Sequence, residues 1–172
     1  DGLSSIVYTY DAYANRSTET YLDRQGNPVT GRNGYAGIAY TYDKRRRKTS
    51  QTYMGEDGQV VSGLSGYSME SYTYNIKNQM IRLAYHDPQG NAIAMNEGYA
   101  VIEYEYDDFE RKIRERYLNT EDEAVACADG YASKAYQYDR YGYVAVESYY
   151  DVSGNPVACA DGYASIRREN DV

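Results

Sequence analysis

The stretch Gly34-Tyr35-Ala36-Gly37-Ile38-Ala39-Tyr40-Thr41-Tyr42-Asp43 decides the fold, because it carries a strand pattern and also sits inside a strict repeat. Ile38, Tyr40 and Tyr42 alternate with Gly37, Ala39 and Thr41, the period-two signature of a strand with one buried face. The same frame returns every 32 residues at Tyr8, Tyr40, Tyr72, Tyr104 and Tyr136, and at Tyr10, Tyr42, Tyr74, Tyr106 and Tyr138. Tyr21, Tyr53, Tyr85, Tyr117 and Tyr149 keep the same step, as do the Gly-Tyr pairs that start at Gly34, Gly66, Gly98, Gly130 and Gly162. No insertion interrupts the series. Repeats therefore run 2–33, 34–65, 66–97, 98–129 and 130–161, with a partial sixth at 162–172. The chain starts at Asp1-Gly2 without an initiator Met, so it reads as a piece cut from a longer array.

Each repeat offers two strands. Strand A is the quoted alternation; strand B ends at Tyr53 or, one repeat later, in Ile81-Arg82-Leu83-Ala84-Tyr85. Between them lie short polar connections of hairpin length, 11–15, 43–47, 75–79, 107–111 and 139–143. A second turn follows strand B in stretches such as Asp87-Pro88-Gln89-Gly90-Asn91, where Asp accepts local backbone bonds and Gly allows positive φ. A short third strand is expected around Val29 and Val157. Glu103, Glu105, Asp107 and Asp108 on one side of the fourth connection face Arg111, Lys112, Arg114 and Arg116 on the other, which favours an antiparallel A–B hairpin. A parallel β-helix with one coil per repeat remains the alternative. No segment carries a helix period of useful length.

Leu, Ile, Val and Phe together number 25 of 172 residues, below the roughly one-fifth of an ordinary core. The 24 tyrosines make up the difference, since one ring buries roughly 150 to 250 Å² while its hydroxyl stays hydrogen-bonded. A net charge of −8 argues against nucleic-acid partners, which need a basic field. No apolar run approaches the ~18 residues of a membrane span, so membrane insertion is not expected.

Tyr138-Asp139-Arg140-Tyr141-Gly142 and Tyr150-Asp151-Val152-Ser153-Gly154-Asn155 resemble the Y-D-x-x-G motif of YD repeats, found in large bacterial surface and secreted proteins of the Rhs type. The first motif keeps its Gly only at Gly142; Ala14, Arg46, Asn78 and Glu110 stand there in the other repeats. Tyr149-Tyr150-Asp151 through Gly154, Val157 and Gly162-Tyr163 are similar in order to the aromatic hairpin repeats of bacterial cell-wall-binding modules, with Tyr in place of Trp and a longer period. These resemblances imply an extracellular or cell-surface location.

Catalysis needs a constellation, and none is visible. The single histidine, His86, takes the place filled by Leu22, Met54, Leu118 and Tyr150 in other repeats, which marks a packing position. Asp87 and Asp151 belong to the repeated turns, whose Asp, Asn and Gly residues match no standard calcium loop; no metal or other cofactor is expected. The run Lys44-Arg45-Arg46-Arg47-Lys48 reads as a solvated turn. Cys127 and Cys159, 32 residues apart in identical ACADGYAS strings, read as free thiols of a recent duplication, too far apart to bond if each repeat is a hairpin.

The fold expected is therefore all β, a spiral or solenoid of β-hairpins in tandem 32-residue repeats, stabilised by neighbouring repeats. The function expected is non-enzymatic: a structural or adhesive segment that binds a cell-wall or host glycan, or another surface protein, through repeated tyrosines. Most of those rings are expected in the core. Tyr35, Tyr67, Tyr99, Tyr131 and Tyr163 follow a glycine at a loop-to-strand junction and are the exposed rings expected to contact a ligand. The alternative is a segment of an Rhs-like β-shell that encloses a toxin domain.

Overall fold

The computed structural model describes residues 2–169. Among them the chain forms eleven strands and no helix: β1 (Ser5–Tyr10), β2 (Arg16–Leu22), β3 (Gly37–Tyr42), β4 (Lys48–Met54), β5 (Met69–Tyr74), β6 (Met80–His86), β7 (Val101–Tyr106), β8 (Lys112–Leu118), β9 (Ser133–Tyr138), β10 (Val144–Tyr150) and β11 (Ser165–Arg167). Odd strands are A and even strands are B. In the sheet they follow chain order. Residues 170–172 of the partial sixth repeat lie outside the described residues.

Antiparallel pairing of A with B, as in Ile38↔Tyr53 and Tyr40↔Gln51, makes each repeat a hairpin and removes the single-coil alternative. Pairing between successive repeats is shorter, Thr18↔Ala39 to Thr20↔Gly37. It stops at Tyr21, whose N–H still donates to the Ala36 carbonyl at 2.8 Å in the same register while its own carbonyl turns to accept from Val29 at 2.9 Å. The expected third strand is thus reduced to single bridges such as Leu22↔Pro28 and Tyr150↔Pro156.

One turn geometry is used three times per repeat. In Asp11–Asn15 the N–H of Asp11 reaches Asn15 O at 2.9 Å and the N–H of Ala14 reaches Asp11 O at 3.0 Å. Asp23–Asn27 and Gly31–Tyr35 repeat both bonds. The fourth residue of each turn is left-handed, with φ of 61° at Ala14, 85° at Gly26 and 87° at Gly34. This is a type I turn closed by a bulge, and the register shifts between Thr9 and Tyr10 accordingly.

The chain divides into two compact units, Asp1–Thr73 with Ala84–Met95, and Tyr74–Leu83 with Asn96–Val172. The first has a core of Tyr35, Ile38, Tyr53 and Tyr67, flanked by Tyr21, Tyr40 and Tyr85. In the second, Ile102, Tyr117, Tyr131 and Tyr149 pack with the free, buried thiols of Cys127 and Cys159. Both cores are built largely of tyrosine, as the composition demanded. Neighbouring hairpins supply the burial: Ile6 on the outermost strand is 41% exposed, while Ile38 and Ile102 at the same repeat position are 8% and 9% exposed.

Candidate functional site

Strand pairing gives the sheet a ring face and a reverse face. Ile38, Tyr40, Gln51 and Tyr53 share the first; Ala39, Thr41, Ser50 and Thr52 share the second.

On the ring face of each unit, strand-B tyrosines alternate with Gly-Tyr tyrosines in a column. In the first unit the centroid steps are 5.9 Å from Tyr21 to Tyr35, 4.2 Å to Tyr53, 5.3 Å to Tyr67 and 4.9 Å to Tyr85. In the second unit Tyr99, Tyr117, Tyr131, Tyr149 and Tyr163 follow at 4.8, 5.8, 4.7 and 6.0 Å. These are attractive aromatic separations, each worth ~0.5 to 1.5 kcal/mol beyond the area buried.

The expected exposure of the Gly-Tyr rings is therefore corrected. Tyr35, Tyr67 and Tyr131 are buried at 8%, 8% and 4%, Tyr99 is partly buried, and only Tyr163 stands open at 37%. The physical reason is the turn. Its left-handed glycine closes the loop so that the next residue's ring swings inward, between two strand-B rings.

The hydroxyls are also used. Tyr21 donates to Glu19 at 2.9 Å, Tyr149 to Glu147 at 2.8 Å, and Tyr53 to the hydroxyl of Tyr67 at 2.9 Å. Tyr42 reaches back 26 residues to the Arg16 carbonyl at 2.8 Å, and Tyr138 makes the same bond to Lys112 at 2.6 Å. These bonds lock each hairpin to the one before. Cations complete the face: the Lys48 ammonium lies 5.7 Å from the Tyr40 ring and 4.8 Å from the Tyr72 ring, and Lys112 stands 5.4 Å from both Tyr104 and Tyr136. Burial pushes the Tyr40 and Tyr104 phenols up to about 12.

The turn carboxylates act as turn acceptors. Asp43 Oδ1 receives the N–H groups of Arg45 and Arg47 at 2.8 and 3.0 Å, and its Oδ2 pairs with the Arg47 guanidinium at 2.7 Å. Asp151 likewise holds Ser153 and Asn155. The basic run is dispersed: Arg47 joins Asp43, Arg46 lies over the Tyr13 ring at 5.5 Å, and Lys48 joins the ring face. His86 is held by Ser71 Oγ at 2.8 Å and faces the Gly90 carbonyl at 3.3 Å, which ties the end of β6 to β5 and to the next turn.

Sequence reasoning missed the rings at the tips of the A–B turns. Tyr13 is 67% exposed, Phe109 79% and Tyr141 51%. Tyr13 also borders an open groove of about 400 Å³ with Asp11, Tyr42, Asp43, Lys44 and Arg46. Their shared position, two residues after the turn Asp, was the available signal.

The architecture defines a class: a tandem β-hairpin array with a tyrosine spine. No protein-family model matches the chain, and no curated protein does. Among solved structures it is similar to TcdB2-TccC3 without its hypervariable C-terminal region, at 16% identity and a TM-score of 0.39, over 84% of this chain. The TcdB2-TccC3-Cdc42 complex matches at 16% identity and a TM-score of 0.38, over the same share. This chain spans 7% of the length of each. The repeating tyrosines and the all-β sheet fit a YD-repeat-like fold.

Proposed function

We propose that this chain is a non-catalytic structural segment of a bacterial surface or secreted repeat protein, whose partners are first of all its own neighbouring repeats. The ring column supports this reading. It spends the aromatic residues on cohesion between hairpins, and the Tyr42 and Tyr138 bonds serve the same end. Such an array behaves as a chain of nearest-neighbour interfaces. Deleting residues 66–97 should leave a folded protein with a lower melting temperature. Deleting 66–81 should unfold it, because strand A then meets the wrong phase of the next repeat. Equal damage from both deletions, read by circular dichroism, would reject the array.

A second, adhesive reading is favoured by the exposed turn-tip rings. Here glycan contact moves from the Gly-Tyr column to Tyr13, Phe109 and Tyr141. Repeated weak sites then act through avidity on a polymer. Retention on bacterial wall polysaccharide that survives alanine at all three positions would count against it. The shell reading, in which such an array encloses a toxin domain, rests on the YD-repeat resemblance and is separated from adhesion by the sequence that flanks this segment.

A further inference from the structure

The repeats provide their own comparison at two arginines on the reverse face. In the third repeat Arg82 is neutralised twice: Nη1 lies 3.2 Å from Glu103 Oε1, and Nη2 pairs with Asp122. One repeat later the equivalent arginine is Arg114, and the equivalents of Glu103 and Asp122 are Ala135 and Gly154. Ala135 stands directly opposite Arg114 in the β8–β9 register, and Gly154 lines the same groove. Both equivalents are gone where the arginine stays, and the acid opposite it is Glu105, across the β7–β8 register.

What stands there instead is the Tyr150 ring and a groove. A groove of about 240 Å³ is lined by Arg114, Arg116, Ala132, Ser133, Asp151 and Gly154. Arg114 lines it with its guanidinium 5.8 Å from the Tyr150 ring, while its Nε is covered and has no hydrogen-bond partner among the described residues. A guanidinium without an ion pair of its own favours carboxylate partners, with which it forms charge-assisted hydrogen bonds. Arg116, two residues along the same face, has Glu103 only at 3.9 Å. Asp151 does not compete, since its Oδ1 takes the N–H groups of Ser153 and Asn155 and its Oδ2 takes the Asn155 amide. In the first repeat the corresponding groove, about 300 Å³, carries Thr18 and Thr20 in place of the two arginines and holds no such charge.

We propose that the Arg114–Arg116 groove is a binding site for a paired carboxylate ligand, a small dicarboxylate or two neighbouring acidic side chains of a polypeptide. The ligand supplies from outside what Glu103 and Asp122 supply to Arg82 from within.

The test is calorimetric titration of the 172-residue chain with two probes, glutarate and the capped tripeptide acetyl-Glu-Gly-Glu-amide. Saturable binding of one ligand per chain is expected. The stronger probe tells whether the natural source is a free dicarboxylate or a polypeptide. R114Q should weaken it at least about tenfold, as loss of a charged hydrogen-bond donor does. The double variant Ala135→Glu with Gly154→Asp, which installs the internal acids, should block it equally. Asp is tolerated at that backbone position, since Asp122 already occupies it at φ 64°. Circular dichroism verifies the fold of each variant. Absence of binding by either probe, or undiminished binding by folded R114Q, overturns the proposal.

Discussion

Tyr53 lies face to face with Tyr35, their ring centroids 4.2 Å apart and their planes 7° from parallel. One ring ends strand B of the second repeat; the other follows the glycine that opens that repeat. The contact therefore closes the repeat on itself, while the Tyr53 hydroxyl, 2.9 Å from that of Tyr67, opens the link to the next. Tyr53→Ala should cost about 3 to 5 kcal/mol in urea unfolding, as large-to-small core changes do. Tyr53→Phe should cost only about 1 kcal/mol, the net value of one hydrogen bond. Tyr8→Ala, on the exposed outer strand, should stay within about 1 kcal/mol. Equal losses at Tyr53 and Tyr8 would deny the column its structural role.

Ala14, Arg46, Asn78 and Glu110 hold left-handed φ of 61° to 67° at the turn position that Gly142 fills at 88°. For an L-residue that conformation costs roughly 1 to 2 kcal/mol, partly offset in a Gly replacement by the entropy of the unfolded chain. Glu110→Gly should therefore stabilise the protein by up to about 1 kcal/mol, seen as a higher melting temperature. Asp122→Gly should bring no such gain, because it removes a carboxylate from Arg82.

Burial, with Glu19 close by in the case of Tyr40 and Glu115 in the case of Tyr104, raises both phenols from 10.0 to about 12. Burial likewise raises Tyr21, Tyr67, Tyr117, Tyr136 and Tyr149. A phenol whose folded value exceeds its unfolded one contributes stability that is fully present below pH 10 and lost as pH rises toward 12. Phenolate absorbance and circular dichroism should thus change together in alkali. Ionisation of the buried rings in a still-folded chain would contradict this.

The turn carboxylates act at the other end of the scale. Backbone N–H groups four residues on lower Asp23, Asp43 and Asp151 below 3.8, and the Asn side-chain amide does so first for Asp11 and Asp87. Their stabilisation is present above pH 3.8 and is lost as pH falls below it. Acid unfolding followed by circular dichroism should be less steep in Asp43→Asn, which keeps an acceptor but loses the charge. An identical acid limb would show that these turns do not set it.

Cys127 and Cys159 are buried at repeat-equivalent positions beside Tyr131 and Tyr163. A buried thiol is shielded from reagents. Both should react with a thiol probe only after denaturation, and mass spectrometry of the unreduced protein should find two free cysteines. A bond between them would contradict the hairpin geometry.

Much of this architecture was legible in the residues. The 32-residue step of Tyr8 to Tyr136 and the alternation through Ile38, Tyr40 and Tyr42 sufficed for two strands per repeat, because strand periodicity and turn chemistry are local properties. Asp139-Arg140-Tyr141-Gly142 could be read as a turn for the same reason. Tertiary structure decided where each ring points. Tyr35 follows a glycine in a loop, and nothing local tells whether its ring turns to solvent or inward. Contacts with Tyr21 and Tyr53, 14 and 18 residues away, settle that it goes in. The arginines divide in the same way: Arg82 and Arg114 have the same repeat position and the same strand. The register across the sheet, which puts Glu103 beside one and Ala135 beside the other, makes the first an ion pair and leaves the second against the Tyr150 ring.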